Sequence, residues 1–134
     1  MARSPTALPV DTDIFIDYLN GIEWTREILD SSRYRVYYST VTRKELLTKP
    51  GLSSTERHRI RILLLRHRLI LVDEKIAERF SRLLQKYNHH GLRKADALIA
   101  ATAWSRKLPL LTRNIRHYRF ISEITLIEYS QLNP

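Results

Sequence analysis

The chain has 134 residues, 43% of them hydrophobic, enough for one domain around one core. Lys and Arg number 23 against 14 Asp and Glu, a formal charge of +9 that points to a polyanionic partner, of which nucleic acid is the usual one. The absence of cysteine excludes a disulfide framework and a thiolate zinc site. No apolar run approaches the roughly 18 residues of a membrane span. Met1 to Pro9 lacks the apolar core of a signal peptide, so the expectation is a cytoplasmic protein with no membrane contact.

In chain order, Ala7 to Val10 reads as a short strand ending at Asp11-Thr12-Asp13. A helix follows from about Asp13 to Leu19, capped by Thr12 or Asp11 and closed at Gly21. A second helix spans Glu23 to Asp30. Val36 to Ser39 is β-branched and aromatic, a strand pattern. Thr40 to Leu47 reads as a helix stopped by Pro50-Gly51. Ser53 and Glu56 have capping-box spacing and open a helix to about His67. Leu69 to Val72 reads as a buried strand. Asp73 then caps a helix striped with Ile76, Phe80, Leu83, Leu84 and Tyr87. After a loop at Asn88 to Gly91, the stretch Gly91 to Trp104 reads as a helix. Its many alanines make it thin on nearly every side, as suits a central element. Leu108 to Leu111 and Ile124 to Ile127 are strands, with a turn or short helix from Thr112 to about Tyr118 between them.

Strands alternating with helices imply a parallel sheet covered on both faces. Ligands of such sheets bind beyond the carboxyl ends of the strands. Asp11 and the Thr112–Asn114 segment follow two strand ends directly, and the helix carrying Glu45 follows a third. Asp96 sits in the first turn of the alanine-rich helix. Asp11, Glu45 and Asp96 thus offer three carboxylates to one edge, with hydroxyls from Thr12 and Thr112 and the Asn114 amide beside them. Hard oxygen ligands suit Mg²⁺ or Mn²⁺. Clustered acids without an ion would raise one another's pKa values; with one they can activate water at a phosphodiester.

Each group has a plainer use. Asp11, Asp13 and Asp96 can complement helix N-termini. Glu45 can close a capping box with Thr42. Thr112 and Asn114 can make only a turn and an N-cap. His89 and His90 read as a solvated loop, and Phe80, Tyr87 and Trp104 as core. The arginines at 57, 59, 61, 66 and 68 are a solvated helix face or an RNA contact. Lys94, Arg113 and Arg116, beside the acids, are the better candidates for RNA phosphate contact.

Four stretches in order carry a resemblance: Val10-Asp11-Thr12-Asp13, Ser39 to Leu46 with Glu45, Ala95 to Ala103 with Asp96, and Leu111 to Tyr118 with Thr112 and Asn114. Together they resemble the PIN-domain ribonucleases, and among these the VapC-type toxins of toxin–antitoxin pairs. The resemblance implies a single PIN-like domain over residues 1–134, a three-layer α/β/α fold with a small parallel sheet of four or five strands. It also implies a Mg²⁺- or Mn²⁺-dependent endoribonuclease, a homodimer, and inhibition by a small antitoxin covering the site. Asp11, Glu45 and Asp96 match the metal-binding acids, with Glu45 acting directly or through water. Asp13 matches the polar position two residues after the first acid and is a further candidate for holding the metal. Where the family often has a fourth acid, this chain has His117, a departure that favours one metal over two. Two alternatives remain at this level. One is a catalytically weak or inactive RNA- or protein-binding module on the same fold. The other is a HAD-type phosphatase suggested by Asp11-x-Asp13 after an apolar strand.

Overall fold

The computed structural model describes residues 4–132; residues 1–3 and 133–134, at the two ends of the expected domain, lie outside the described residues, as does the start of the Met1–Pro9 segment. The elements run β1 (Thr6–Pro9), α1 (Thr12–Leu19), α2 (Glu23–Leu29), β2 (Tyr34–Ser39), α3 (Thr40–Leu47), α4 (Ser54–Leu65) and β3 (Arg68–Ile70). They continue with α5 (Glu74–Lys86), α6 (Lys94–Arg106), β4 (Leu110–Leu111), α7 (Ile115–Tyr118), β5 (Leu126–Ile127) and α8 (Tyr129–Leu132). A 3₁₀ turn at Asn88–His90 lies between α5 and α6.

Local chemistry accounts for most boundaries. Ser53 and Glu56 form the expected capping box at α4, and Asp73 accepts the Ile76 N–H at the start of α5. Gly21, at φ +78°, turns the chain out of α1 in a conformation that a side chain would strain. The helix expected from Gly91 starts at Lys94 because Arg93 is extended, at ψ 151°.

β1, β2 and β3 pair in parallel in that order, and β4 pairs in parallel with β5. A bridge between Val10 and Leu111, with the Asp11 N–H donating to the Leu111 carbonyl at 2.9 Å, sets β4 against β1. The expected sheet is therefore two short pieces joined at one bridge, with five parallel strands ordered β3-β2-β1-β4-β5. Its strands are shorter than the sequence suggested. Leu108 and Pro109 fall outside β4, and proline has no N–H for a ladder. β3 stops at Ile70, where its register with β2 ends, so Leu71 and Val72 are 67% and 44% exposed rather than buried.

Parallel strands need cover on both faces. Val36 and Tyr38 of β2 join Leu8, Ile14, Phe15, Ile28 and Leu46 in the layer under α1–α4. Tyr37, pointing the other way, packs with Ile76, Leu83, Ile99 and Leu110 under α5–α7. In α6 the side chains of Ala97, Ala100, Ala101 and Ala103 are buried, and α5 lies against it. The short α8 was not legible in the sequence. Its Tyr129 packs on Trp24 with ring centroids 4.6 Å apart, and the Tyr129 hydroxyl donates to Glu27. This frame brings the ends of β1 and β4 together and aims the starts of α1, α3 and α6 at the same edge.

Candidate active site

Asp11 leaves β1 and caps α1, its Oδ1 accepting the Thr12 N–H at 2.8 Å. Its Oδ2 accepts the Thr112 hydroxyl, also at 2.8 Å, because β4 lies beside β1. Asp96 enters from the first turn of α6, and both acids are nearly sealed, at 5% and 6% exposure. Between them stands Tyr118, fully buried at the end of α7. Its hydroxyl donates to Asp96 Oδ1 at 3.2 Å, near enough to Asp11 for the charge of that acid to act on it. On its outer side Asp96 meets the Arg93 guanidinium, Nε to Oδ2 at 3.2 Å, and His117 Nδ1 at 3.6 Å.

Glu45 is not in a capping box. α3 begins at Thr40 with Ser39 as its N-cap, which leaves Glu45 exposed further along the helix. Its Oε1 accepts the Thr12 hydroxyl at 3.0 Å, and the buried Thr42 hydroxyl donates in turn to Thr12 at 2.8 Å. Glu45 and Thr12 also line a mostly apolar groove of about 500 Å³ between α1, α3 and α4, walled by Ile16, Leu46 and Ile60.

Asp13 Oδ2 accepts the Arg113 backbone N–H at 3.0 Å, while its Oδ1 is buried with no hydrogen-bond partner. The Asn114 N–H donates to the Thr112 hydroxyl at 3.0 Å, and the Asn114 side chain does not cap α7. The Arg113 guanidinium, a candidate for phosphate contact, pairs with Asp17 at 2.7 Å. Lys94 and Arg116 are exposed. Arg113, Arg116, His117 and Arg119 line an open basic concavity of about 630 Å³ beside the acids. Of the arginine run, Arg57 donates to the Leu47 carbonyl and Arg66 pairs with Asp30. His90 is exposed, as its loop suggested, and stacks on Phe120 at 4.9 Å.

The buried acids are short of positive charge. Burial pushes the Asp11 carboxyl up, the Thr112 and Thr12 hydrogen bonds and the nearby Tyr118 hydroxyl only partly offset it, and the Asp96 charge adds to the rise. Asp13 is pushed up to about 7, by burial first and the Asp11 charge second. Burial and then the charges of Asp11 and Asp96 raise the Tyr118 phenol, so it stays protonated and serves as a neutral donor.

Among the described residues, no three His, Asp or Glu side chains form a group placed to hold a metal ion. What the fold brings together is a pair, Asp11 and Asp96, with Glu45 turned to Thr12. The pair fits a hard divalent cation. Mg²⁺ commonly takes one or two carboxylates and completes its shell with water and substrate phosphate. The uncompensated burial of Asp11 and the unpartnered Asp13 Oδ1 are consistent with that fit.

A family profile described as PIN domain matches residues 9–129. The chain belongs to the PIN-domain family. It is 32% identical over 119 residues to Ribonuclease VapC10 of Mycobacterium tuberculosis, covering 86% of this chain and 88% of that relative. Among solved structures, a toxin–antitoxin complex from Klebsiella pneumoniae aligns with a TM-score of 0.73 at 29% identity, covering 88% of this chain and 95% of that one. VapBC2 of Rickettsia felis, solved with a promoter DNA fragment, aligns at 0.81 and 20% identity over 92% of this chain and 98% of that one, a likeness of fold. The PIN assignment displaces the phosphatase reading.

Three contributors to this PIN site escaped the sequence reading. Tyr118 was only the end of a turn, although it follows His117 within the matched stretch. Arg93, not Lys94, meets Asp96; its spacing three residues before that acid was the available signal. Thr42 reads only as a capping-box partner of Glu45, since its actual partner Thr12 is 30 residues away.

Proposed function

We propose that this PIN domain is a divalent-metal-dependent endoribonuclease and the toxin of a toxin–antitoxin pair. The observation that carries the reading is the convergence of the nearly sealed Asp11 and Asp96 at one sheet edge, in a chain of charge +9. The names of its relatives, a ribonuclease and a toxin–antitoxin complex, support it.

When bound, Mg²⁺ or Mn²⁺ supplies positive charge against phosphodiester oxygens and eases the deprotonation of water. Asp11 and Asp96 would hold the ion, with Glu45 joining through water. Each Asp11 oxygen accepts one hydrogen bond and keeps a lone pair for a ligand. Thr12 and Thr112 fix the orientation of Asp11. Asp13 braces the Arg113 backbone, which keeps the Thr112–Asn114 turn against the start of α1. Lys94 and Arg116 hold RNA phosphates, with Arg113 contributing less because Asp17 already neutralises it. The antitoxin covers the site from the groove beside Glu45, whose Ile16, Leu46 and Ile60 accept an apolar segment. The active form is a homodimer acting in the cytoplasm; no helix among the described residues is long and apolar enough to cross a membrane.

One observation favours a second reading, a non-catalytic RNA-binding PIN module: the absence of a three-acid cluster among the described residues. A single set of assays separates the two. The nuclease cuts RNA with Mg²⁺ or Mn²⁺, loses that activity in EDTA, and melts at a higher temperature with Mn²⁺. RNA binding without cleavage in either metal, and no thermal shift, establishes the module instead. Sedimentation of the purified chain measures the dimer.

A further inference from the structure

We infer that Tyr118 is a positioning residue of the candidate metal site: its hydroxyl holds the Asp96 carboxylate in the orientation that faces Asp11. The inference rests on the nuclease reading and extends it to a residue outside the three acids.

The ring of Tyr118 is wholly buried in the layer under α5–α7, in the same core cluster as Leu110, Ile99 and Ile121. Such a place calls for an apolar ring. The hydroxyl is an added polar group, and it emerges where the two carboxylates meet, donating to Asp96 Oδ1 at 3.2 Å. A phenol carries one proton, so it secures one carboxylate at a time. Asp11 is already held on both oxygens by Thr12 and Thr112, at 2.8 Å each. Asp96 has no such support. Its other partners are Arg93 at 3.2 and 3.4 Å and His117 at 3.6 Å, side chains 66% and 45% exposed. Both contacts come from exposed side chains, and both draw Asp96 outward. Tyr118 is the buried partner that opposes them. Being neutral, it orients the acid without placing a competing cation in the site. Lys or Arg at the same position would orient Asp96 equally well and repel the ion.

With His117 in place of an acid, this chain leans more heavily on the orientation of the two carboxylates it has. Loss of the hydroxyl leaves Asp96 free to rotate toward Arg93, and the ion loses one of its two direct ligands in part.

The test is Mn²⁺ affinity, read by electron paramagnetic resonance well below the melting temperature, on wild type and Tyr118→Phe. The variant is expected to bind Mn²⁺ about tenfold more weakly, the scale of one hydrogen bond to a charged group. Ile121→Val, a small cavity in the same core cluster, controls for a general loss of stability and should leave Mn²⁺ affinity unchanged. Equal affinity in wild type and Tyr118→Phe, or an equal loss in Ile121→Val, overturns the inference while leaving the nuclease reading intact. A wild type that neither binds Mn²⁺ nor cuts RNA removes both. Should Tyr118→Phe fail to fold, the wild type decides. Its buried phenolic proton, assigned by NMR through contacts to its own ring, shifts on Mg²⁺ titration if Tyr118 orients a ligand. An unmoved resonance refutes it.

Discussion

Two acid networks in this molecule are built from the same kinds of side chain to opposite ends. Asp30, between α2 and β2, accepts the Tyr18 hydroxyl and the Arg66 guanidinium, both at 2.6 Å. Slight burial works against ionisation, yet the Tyr18 and Arg66 hydrogen bonds and the Arg66 charge hold its carboxyl below the usual range. Asp11 and Asp13 lie at the carboxyl end of the sheet, where burial outweighs every donor and pushes both upward. Tyrosine assists in both places. The difference is the guanidinium. At Asp30 a full positive charge is in direct contact, whereas Asp11 receives only N–H and O–H dipoles and Asp13 adds to an N–H only the pull of the Arg113 charge, itself paired with Asp17. Buried, under-compensated acids give room for the cation we propose.

The largest effects should come from removing that room. Asp11→Asn and Asp96→Asn are each expected to lower RNA cleavage by about 10²–10³-fold, the scale of deleting one group that stabilises transition-state charge. Gel-shift binding of RNA should persist, because phosphate contact rests on Lys94 and Arg116; full cleavage in either variant defeats the site.

Asp13 gives the next effect, and its sign is opposite. The folded pKa is raised to about 7 from 3.8, so between these values the native state holds more protons than the unfolded one. Stability from this group is present at low pH and lost as pH rises through about 7. Asp13→Asn should therefore raise the metal-free melting temperature at pH 8 by several degrees, with no gain near pH 3.5. Calorimetry at both pH values checks it, and a fall at pH 8 contradicts the charge deficit.

His67, beside Asp30 and Arg66, titrates the other way. Burial first, then the Arg66 charge, lowers it to about 4 from 6.5. Its contribution is complete above pH 6.5 and lost as pH falls toward 4. His67→Phe should flatten that part of the denaturation-midpoint profile, by a modest amount because the ring is only half-buried and solvent screens it. The smallest effect belongs to the exposed pair itself. Arg66→Ala should cost about 1 kcal/mol or less in urea unfolding, with Mn²⁺ affinity and cleavage unchanged. A catalytic loss there would break the contrast between the two networks.

The fold was legible wherever a pattern acts over a few residues. The Ser53–Glu56 box, the Asp73 cap and the stripe through Ile76, Leu83 and Tyr87 depend on neighbours within one or two helical turns. Misreadings occurred where the decision lay elsewhere. Leu71 and Val72 look like buried strand, but β3 is an edge strand whose pairing with β2 stops at Ile70. α8 is four residues held by Trp24 and Glu27, distant in sequence, and no local signal marks it.

The candidate site divides along the same line. By itself the amino-acid order set which acids stand at the ends of strands and the starts of helices, because capping and alternation are local properties of the chain. Only the tertiary structure decided that Tyr118 stands between Asp11 and Asp96, that Thr12 holds Glu45, that Arg93 meets Asp96, and that Asp17 takes Arg113. The ionisation of a buried acid depends on the charges and dipoles within a few ångströms of it. Here most of those arrive from other elements, on a sheet edge that exists only once β4 has docked beside β1.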